Sequence, residues 1–255
     1  MKDADVPIKV VVLADSICNG HRLTTLELTY PRILLAELNT HRVFSRSTQS
    51  NRAVSAKRLR RLVREYNYIP MFTTEQRGMQ GAARTPRGAK VLWLVARECA
   101  LALHWVGEKL GVHKQSVNRL LEPFQPCKTV LSSTEWDNFF KQRVSLHAQP
   151  EMRVLAQRMK LALMTSEPQQ IPVGDWHLPY WDFGDAAEDS PMLCAARCAR
   201  VSYLSKPSDE DMGLAKRLQD DGHWSPFEHV ARPARPGEDT RNFRGWVQLR
   251  SEVGG

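Results

Sequence analysis

A chain of 255 residues can bury a substantial core, and 42% apolar with 25% charged residues exclude a disordered protein. No apolar run approaches the roughly 20 residues of a membrane helix, and the start lacks a secretory signal pattern, so we expect a cytoplasmic protein with no membrane contact. The net charge of +8 indicates an anionic partner, either a nucleic acid or a phosphorylated small molecule.

The first part of the chain contains both strand and helix patterns. Residues 7–14 predict a buried strand, and the alternating residues 23–28 predict a half-exposed one. A helix is predicted to begin at Pro31. Residues 57–66 predict a basic amphipathic helix, and the Gly- and Thr-rich residues 69–88 predict a loop.

The second part of the chain is predicted to be mainly helical. The predicted helices are 89–110 before the stop residue Gly111, 114–122 closed by Pro123, about 135–165, 192–200 and 208–220. The Pro-rich residues 166–192 are the predicted linker. Beyond 230 the chain is predicted to be mostly irregular, with Phe243, Trp246 and Leu249 fixing it to the core.

One basic segment has the composition of a phosphate site. Residues 41–52 (HRVFSRSTQSNR) combine arginines, hydroxyls and a histidine directly after an apolar helix face. Cationic side chains, hydroxyls and freed backbone N–H groups are what a phosphate requires. Composition leaves open a solvated basic loop as the alternative.

Other polar patterns argue against metal or thiol chemistry. In residues 222–229 (GHWSPFEH), two histidines and a glutamate suggest zinc, but the i, i+4 histidine pair is missing and Pro226 interrupts the segment, so no metal is expected. Cys194 and Cys198 have no second pair and are predicted to be core thiols. Cys127 follows a proline, as does the nucleophile of the folate-only thymidylate synthases, but nothing else from that family surrounds it, and a structural role is predicted.

Two blocks of the sequence resemble the flavin-dependent thymidylate synthases. That family carries an Arg-His-Arg triplet, a Ser three positions on, and then Ser-x-Arg; the matching residues here are Thr40-His41-Arg42, Ser45 and Ser50-Asn51-Arg52. A second block, Asn, Arg and His-Ala-Gln-x-Glu, is matched within residues 138–151. Upstream, Arg119 stands three residues before a proline, as an arginine does in the family.

A third block resembles the family in a different position. The segments ARVSY (199–203) and GHWSPFEH (222–229) match residues that precede the triplet in the family, but here they follow everything else. The resemblance is therefore to a circularly permuted, viral or phage type, and it covers about two thirds of the chain. It implies a single domain over 1–255, in which 24–165 match the family's central and C-terminal parts, 166–192 join the old ends, and 193–231 match its N-terminal part.

The resemblance implies a fold, a reaction and an assembly. The fold is α+β, with an antiparallel or mixed sheet flanked by long helices. The implied reaction transfers a one-carbon unit from 5,10-methylenetetrahydrofolate to C5 of dUMP, giving dTMP, with NADPH reducing FAD. The implied partners are a deoxynucleotide monophosphate and a folate, with sites between the subunits of a homotetramer in the cytoplasm, or in the host cytoplasm for a viral type.

The family's functional residues transfer onto matching positions. Arg143 is the implied catalytic residue, which pairs with the pyrimidine and stabilises negative charge on it. Implied FAD contacts are His41, Arg42, Asn138, Ser202, Ser225 and Glu228. Implied nucleotide contacts are Glu37, Thr48, Ser50, Asn51, Arg52, Arg143 and, from a neighbouring subunit, Arg119.

Several positions depart from the family pattern. Thr40 replaces an arginine, Thr48 replaces a glutamate and Glu37 replaces a glutamine, while Ser132 and Thr134 stand where the family has Asn and Arg. A carboxylate facing the base favours an amino group over a carbonyl, which leaves dCMP open as the substrate. A hydroxymethyl product is equally open, since water can trap the same methylene intermediate. Arg244 and Arg250 are candidates for restoring the charge lost at Thr40.

A rival from another class is a basic nucleic-acid-binding protein. The net charge of +8 and the helix KRLRRLVREY at 57–66 favour it. Nucleic acid is nevertheless the less expected partner, because the three blocks together point to a nucleotide enzyme.

Overall fold

A five-stranded mixed sheet organises the computed structural model, which describes residues 7–75, 77 and 85–254. Its strands are β1 Lys9–Cys18, β2 His21–Pro31, β3 Ser45–Thr48, β4 Pro126–Ser133 and β5 Gln169–Gln170. The order across the sheet is β3-β4-β2-β1-β5, and only the β1–β5 pair is parallel. Strands β6 Ala231–Pro233 and β7 Trp246–Gln248 form a small antiparallel sheet. The predicted α+β fold with a mixed sheet is confirmed.

The α-helices follow one another along the rest of the described chain. They are α1 Leu35–Leu38, α2 Ala56–Tyr66, α3 Ala89–Lys109, α4 Lys114–Val117, α5 Asp137–Arg143, α6 Pro150–Thr165, α7 Ser190–Ala199, α8 Asp211–Asp220 and α9 Leu249–Glu252. The predicted helices at 57–66, 89–110, 192–200 and 208–220 are confirmed, as is the start after Pro31. Within the described ranges, no helix is both long and apolar enough to cross a membrane.

The main core lies between the sheet and α6. Leu26 and Leu28 of β2 are fully buried in one apolar cluster with Met152 and Leu155 of α6. β2 was predicted to be half-exposed, which is wrong. Its opposite face is also covered, because Thr25 hydrogen-bonds to the buried His177 of the segment after α6.

The predicted single helix over 135–165 is wrong, because the structure divides it into α5 and α6. The residue before a proline avoids the helical region, since the proline ring collides with its backbone. Gln149 accordingly has φ −50° and ψ 135°, and Pro150 takes the first position of α6. Because α5 ends before this break, Arg143 is its last residue.

The predicted helix 114–122 is also wrong in form. The α-helix ends at Val117, and a 3-10 helix, Asn118–Phe124, continues past Pro123. Leu121 and Phe124 of this turn are buried against α2 and α3, so packing maintains the tighter turn through the proline. Part of the predicted loop 69–88 lies outside the described residues.

The segment predicted to be a linker is packed against the sheet. Within 166–192, β5 adds a short parallel edge to β1, and His177 is fully buried. The tail is packed against the core as predicted, since Phe243 and Trp246 are fully buried and Leu249 is nearly so. The segments on both sides of the linker are thereby held against one sheet.

Candidate active site

Arg143 is the centre of a polar cluster beside α1. Its Nε–H donates to His41 Nε2 at 2.9 Å, and Nη2 donates to Thr40 Oγ1 at 3.3 Å. Nη1 forms an ion pair with Glu37. The three partners lie within five residues of one another, so one short segment directs the whole guanidinium. Glu37 and Thr40, both departures from the family pattern, contact the residue predicted to be catalytic.

His41 is held neutral in this cluster. Burial lowers the pKa of its imidazole, and the positive charges of Arg143 and Arg46 lower it further. Because Arg143 donates to Nε2, the proton of the neutral ring lies on Nδ1. The ring packs edge-on against Phe139, with centroids 4.9 Å apart. His41 is therefore fixed as an acceptor for Arg143.

The Arg143 cluster opens onto the larger of two relevant cavities. This cavity, of about 830 Å³, is lined by Glu37 and Arg143 together with Phe72, Gln149 and Arg153. Its floor is fixed by the buried Glu151, whose carboxylate accepts from Tyr68 Oη at 2.9 Å and from the backbone N–H of Met71 at 2.7 Å. The His-Ala-Gln-x-Glu block thus forms a wall of this cavity, a role that was not predicted for it.

Strand β3 lies within the basic segment 41–52. Ser45 and Ser47 point inward and are buried. Ser47 Oγ contacts His229 Nε2 at 3.0 Å, and Ser45 Oγ accepts from Gln248 at 3.0 Å. These two hydroxyls hold the C-terminal part of the chain against β3. Polar side chains of 41–52 therefore take part in packing as well as in the predicted binding.

The second cavity collects predicted residues from opposite ends of the sequence. It measures about 410 Å³ and is lined by Ser50 and Arg52 from the signature and by Ser202 and Ser225 from the C-terminal block. A backbone hydrogen bond holds the two segments together, since the N–H of Ser50 donates to the carbonyl of Ser202 at 3.2 Å. The Ser202 hydroxyl donates to the carbonyl of Thr48 at 3.3 Å. Hydroxyls beside an arginine form a donor set suited to a phosphate.

Two further residues lining this cavity, Tyr203 and His223, were not predicted as site residues. His223 belongs to the segment 222–229, whose histidines suggested a metal. The other one, His229, uses both ring nitrogens on Ser132 and Ser47 hydroxyls. No group of three or more potential ligands for a metal ion occurs among the residues that the structure describes.

Glu228 lies next to the tail. Its carboxylate pairs with Arg250 at 2.5 Å, and its backbone carbonyl accepts from Gln248 at 3.2 Å. Arg46 is close enough for Glu228 to act on the pKa of that guanidinium. Neither candidate for replacing the lost cation contacts Thr40, since Arg244 pairs with Glu135 instead.

The remaining predicted site residues lie outside these clusters. Arg42, Asn138 and Arg119 are exposed, and Arg119 pairs with Glu122. Asn51 is buried, and its amide donates to Glu122 at 2.8 Å. Thr48 Oγ1 contacts Thr129 Oγ1 at 3.2 Å. The binding roles of these residues stay predictions.

The cysteines occupy structural positions. Cys194 and Cys198 are fully buried, which confirms them as core thiols. Cys127 is also fully buried in β4, and burial raises its pKa. A thiolate nucleophile is disfavoured there, because a buried thiol is harder to ionise.

A sequence model of the family described as thymidylate synthase complementing protein, Thy1, matches residues 19–169, more than half of the chain. The chain belongs to the Thy1 family. It is therefore an enzyme, a pyrimidine nucleotide C5 methyltransferase. The matched range contains the Arg143 cluster, β3 and the signature residues Ser50 and Arg52. The C-terminal residues that complete the second cavity lie beyond it.

Solved structures of low identity resemble the Thy1 chain in part. The UMP/dUMP methylase PolB from Streptomyces cacaoi, bound with 5-Br UMP, is 14% identical, with 61% of this chain and 88% of that chain covered at a TM-score of 0.48. ThyX from Helicobacter pylori, complexed with FAD and dUMP, is 18% identical, with 55% and 67% covered at a TM-score of 0.42. A comparison with curated proteins gives no match.

Proposed function

We propose that the protein transfers a one-carbon unit from 5,10-methylenetetrahydrofolate to C5 of dUMP, giving dTMP, with FAD reduced by NADPH. The supporting observation is the meeting of Ser50 and Arg52 with Ser202 and Ser225 around one cavity, although about 150 residues separate them. The Thy1 family model and the cluster on Arg143 support the same activity.

The residues present fit a dinucleotide cofactor and a nucleotide phosphate. Arg52 with the hydroxyls of Ser50, Ser202 and Ser225 offers charge and hydrogen bonds for phosphate oxygens. Glu228, His41 and the exposed Arg42 and Asn138 are the further residues that would hold FAD. When bound, FAD supplies the hydride that converts the transferred carbon into a methyl group.

In this proposal the protein's own part is alignment and charge placement. Arg143 donates to an oxygen of the pyrimidine ring and stabilises negative charge as C5 becomes nucleophilic. His41 and Thr40 hold the guanidinium in one orientation, so little reorganisation is needed during reaction. Ser50 and Arg52 fix the phosphate and thereby the distance from the base to Arg143.

One observation favours a second candidate substrate. Glu37 forms an ion pair with Arg143, so a carboxylate stands beside the group proposed to meet the base. A carboxylate accepts from the exocyclic amino group of cytosine and opposes the carbonyl of uracil. Methylation or hydroxymethylation of dCMP, or hydroxymethylation of dUMP, is therefore the alternative to dTMP formation.

The deciding experiment offers both nucleotides with methylenetetrahydrofolate and NADPH and measures product mass. A gain of one methyl group on dUMP is the expected result. A product from dCMP, or a mass greater by one oxygen atom, would replace dTMP by the alternative. Purified protein should carry flavin absorbance that bleaches with NADPH. Colourless protein with salt-dependent affinity for oligonucleotides would favour the nucleic-acid-binding rival.

We also propose a permuted single domain over residues 1–255. The contacts between Ser50 and Ser202, and between Ser47 and His229, join blocks that stand in the opposite order in the resembling family. The packed segment 166–192 connects them along the sheet edge. Such a rearrangement preserves the native contacts when the joined ends lie near each other.

Nucleotide binding gives a direct test of the second cavity. We expect Ser50→Ala combined with Arg52→Ala to raise the dUMP dissociation constant at least about tenfold, because charge-assisted hydrogen bonds to the phosphate are lost. FAD affinity should change less, as measured by flavin fluorescence. Arg64→Ala, an exposed arginine of α2, is the control. Greater loss of FAD than of dUMP would exchange the two assignments.

An exposed apolar stripe on α3 supports the proposed homotetramer. Leu92, Val95, Leu103, Val106 and Leu110 recur every three or four residues with Cys99 between them, and all are exposed. Leu92, Leu103 and Leu110 are 72%, 61% and 77% exposed. A contiguous apolar stripe of this length is typical of a protein interface. Sites shared between subunits would also give Arg119, Asn138 and Arg42 their predicted partners.

Charge on this stripe should separate the subunits. We expect Leu103→Glu to shift the protein from tetramer to a smaller species in light scattering after gel filtration, because an unpaired carboxylate would be buried in the interface. Arg61→Gln on α2, where the side chain is 67% exposed, changes the net charge by the same one unit and is the control. An unchanged mass for Leu103→Glu would exclude the α3 stripe as the interface.

A further inference from the structure

The tail after the C-terminal block contacts predicted site residues. Strand β7 pairs with β6, placing Gln248 opposite Ala231. Gln248 then donates to Ser45 Oγ at 3.0 Å and to the carbonyl of Glu228 at 3.2 Å. Asn242 donates to the same Ser45 Oγ and to the carbonyl of Val43, both at 3.1 Å. The tail therefore holds the start of β3 and the 3-10 turn Ser225–Glu228 together.

Arg250 is the charged member of this set of contacts. It is the second residue of the last helix, α9, whose Leu249 is buried among residues of α7, α8 and the segment around Phe227. The backbone N–H of Leu249 donates to the carbonyl of Val230 at 2.8 Å. This anchoring fixes the backbone beside Glu228, so Arg250 reaches the carboxylate from a rigid position. Its Nε is buried and has no hydrogen-bond partner among the residues that the structure describes.

Glu228 is paired with one cation and interacts electrostatically with a second. Arg250 pairs with it at 2.5 Å, and Arg46 lies near enough to interact electrostatically. Arg46 in turn donates to the carbonyls of Leu38 and His41, both at 3.2 Å. The carboxylate is only 19% exposed, so its orientation depends on these partners.

We propose that Arg250 is a positioning residue for the flavin site, acting through Glu228. It fixes the carboxylate in the rotamer that meets the cofactor. This proposal rests on the proposed function, because the cofactor role of Glu228 is part of it. It assigns a role to a tail that has no counterpart in the family resemblance.

The test is a double-mutant cycle on FAD binding by the full chain. Arg250→Gln and Glu228→Gln should each raise the FAD dissociation constant about tenfold, measured by quenching of flavin fluorescence. Because Arg250 acts through Glu228, adding Arg250→Gln to Glu228→Gln should raise it less than about twofold further. Arg250→Lys should recover part of the affinity, since it restores the charge but not the planar fork.

Arg244→Gln is the matched control, because Arg244 is an ion-paired arginine of the same tail that contacts Glu135 instead. It should leave FAD affinity unchanged. Unchanged affinity in Arg250→Gln, additive effects in the double variant, or no recovery in a folded Arg250→Lys would overturn the positioning role. Absence of FAD binding by the unmodified chain would instead remove the proposed function, and this inference with it.

Discussion

Replacing Arg143 with alanine should lower turnover at least about 10²-fold while FAD stays bound. A fixed donor aimed at charge that develops in the transition state contributes on this scale. The side chain donates to His41 and Thr40 and pairs with Glu37, so its loss also removes the group that holds this segment in place. Turnover is measured as tritium release from C5-labelled nucleotide, and bound FAD by its absorbance.

One further variant at this position, together with a control on α2, separates the effect of charge from that of geometry. Arg143→Lys keeps the positive charge but lacks the fork that serves three partners, so intermediate activity is expected. Arg61→Ala removes an exposed arginine of α2 and should match the unmodified enzyme. Full activity in Arg143→Ala would remove Arg143 from the chemistry. Loss of FAD together with activity would point to a collapsed site.

Acidification from pH 7 to pH 5 should lower the free energy of unfolding by about 4 kcal/mol, about 2 kcal/mol for each of two buried histidines. Burial lowers the pKa of both His177 and His229 to about 3. In the unfolded chain both take up protons near pH 6.5, whereas the folded chain keeps them neutral. The stabilisation is therefore present above pH 6.5 and is lost as the pH falls toward 3.

Urea unfolding at pH 7 and pH 5 measures this difference directly. His177→Gln should roughly halve the decrease in the free energy of unfolding between pH 7 and pH 5, because one titrating ring is removed. This expectation does not depend on how much the variant is destabilised at pH 7. His223→Gln is the control, since that ring is exposed in the structure. If His177→Gln and the unmodified protein lost the same free energy of unfolding between pH 7 and pH 5, the assignment of this loss to the buried histidine rings would be wrong.

Sequence patterns predicted correctly those helices whose determinants lie within the helix itself or directly beside it. Helix α3 was predicted from its continuous helix formers and Gly111, and α2 from its amphipathic pattern. The break between α5 and α6 was missed although Pro150 marks it, because the apolar pattern continues on both sides. The β1–β2 turn also has a recognisable signal in Asn19-Gly20, where both residues have positive φ.

The partners of the site residues could not be predicted in the same way. Strands β3 and β4 are short or flanked by polar residues, and they are stabilised by pairing within the sheet, β4 with β2 and β3 with β4. The pair of Glu37 with Arg143 joins residues 106 positions apart, and that of Glu228 with Arg250 depends on how the tail folds back. Motif resemblance identified several of these residues, but not what each one contacts.

The buried hydroxyls and imidazoles across the sheet impose a rule on their protons. Hydrogen bonds run without a break from Ser16 through His177, Thr25, Ser132 and His229 to Ser47. Each hydroxyl has one proton to give, and each neutral ring has one donor and one acceptor nitrogen. When the bridging hydroxyls of Thr25 and Ser132 each accept one bond and donate the other within this row, all bonds point the same way, and the two histidines share one tautomer and change it together.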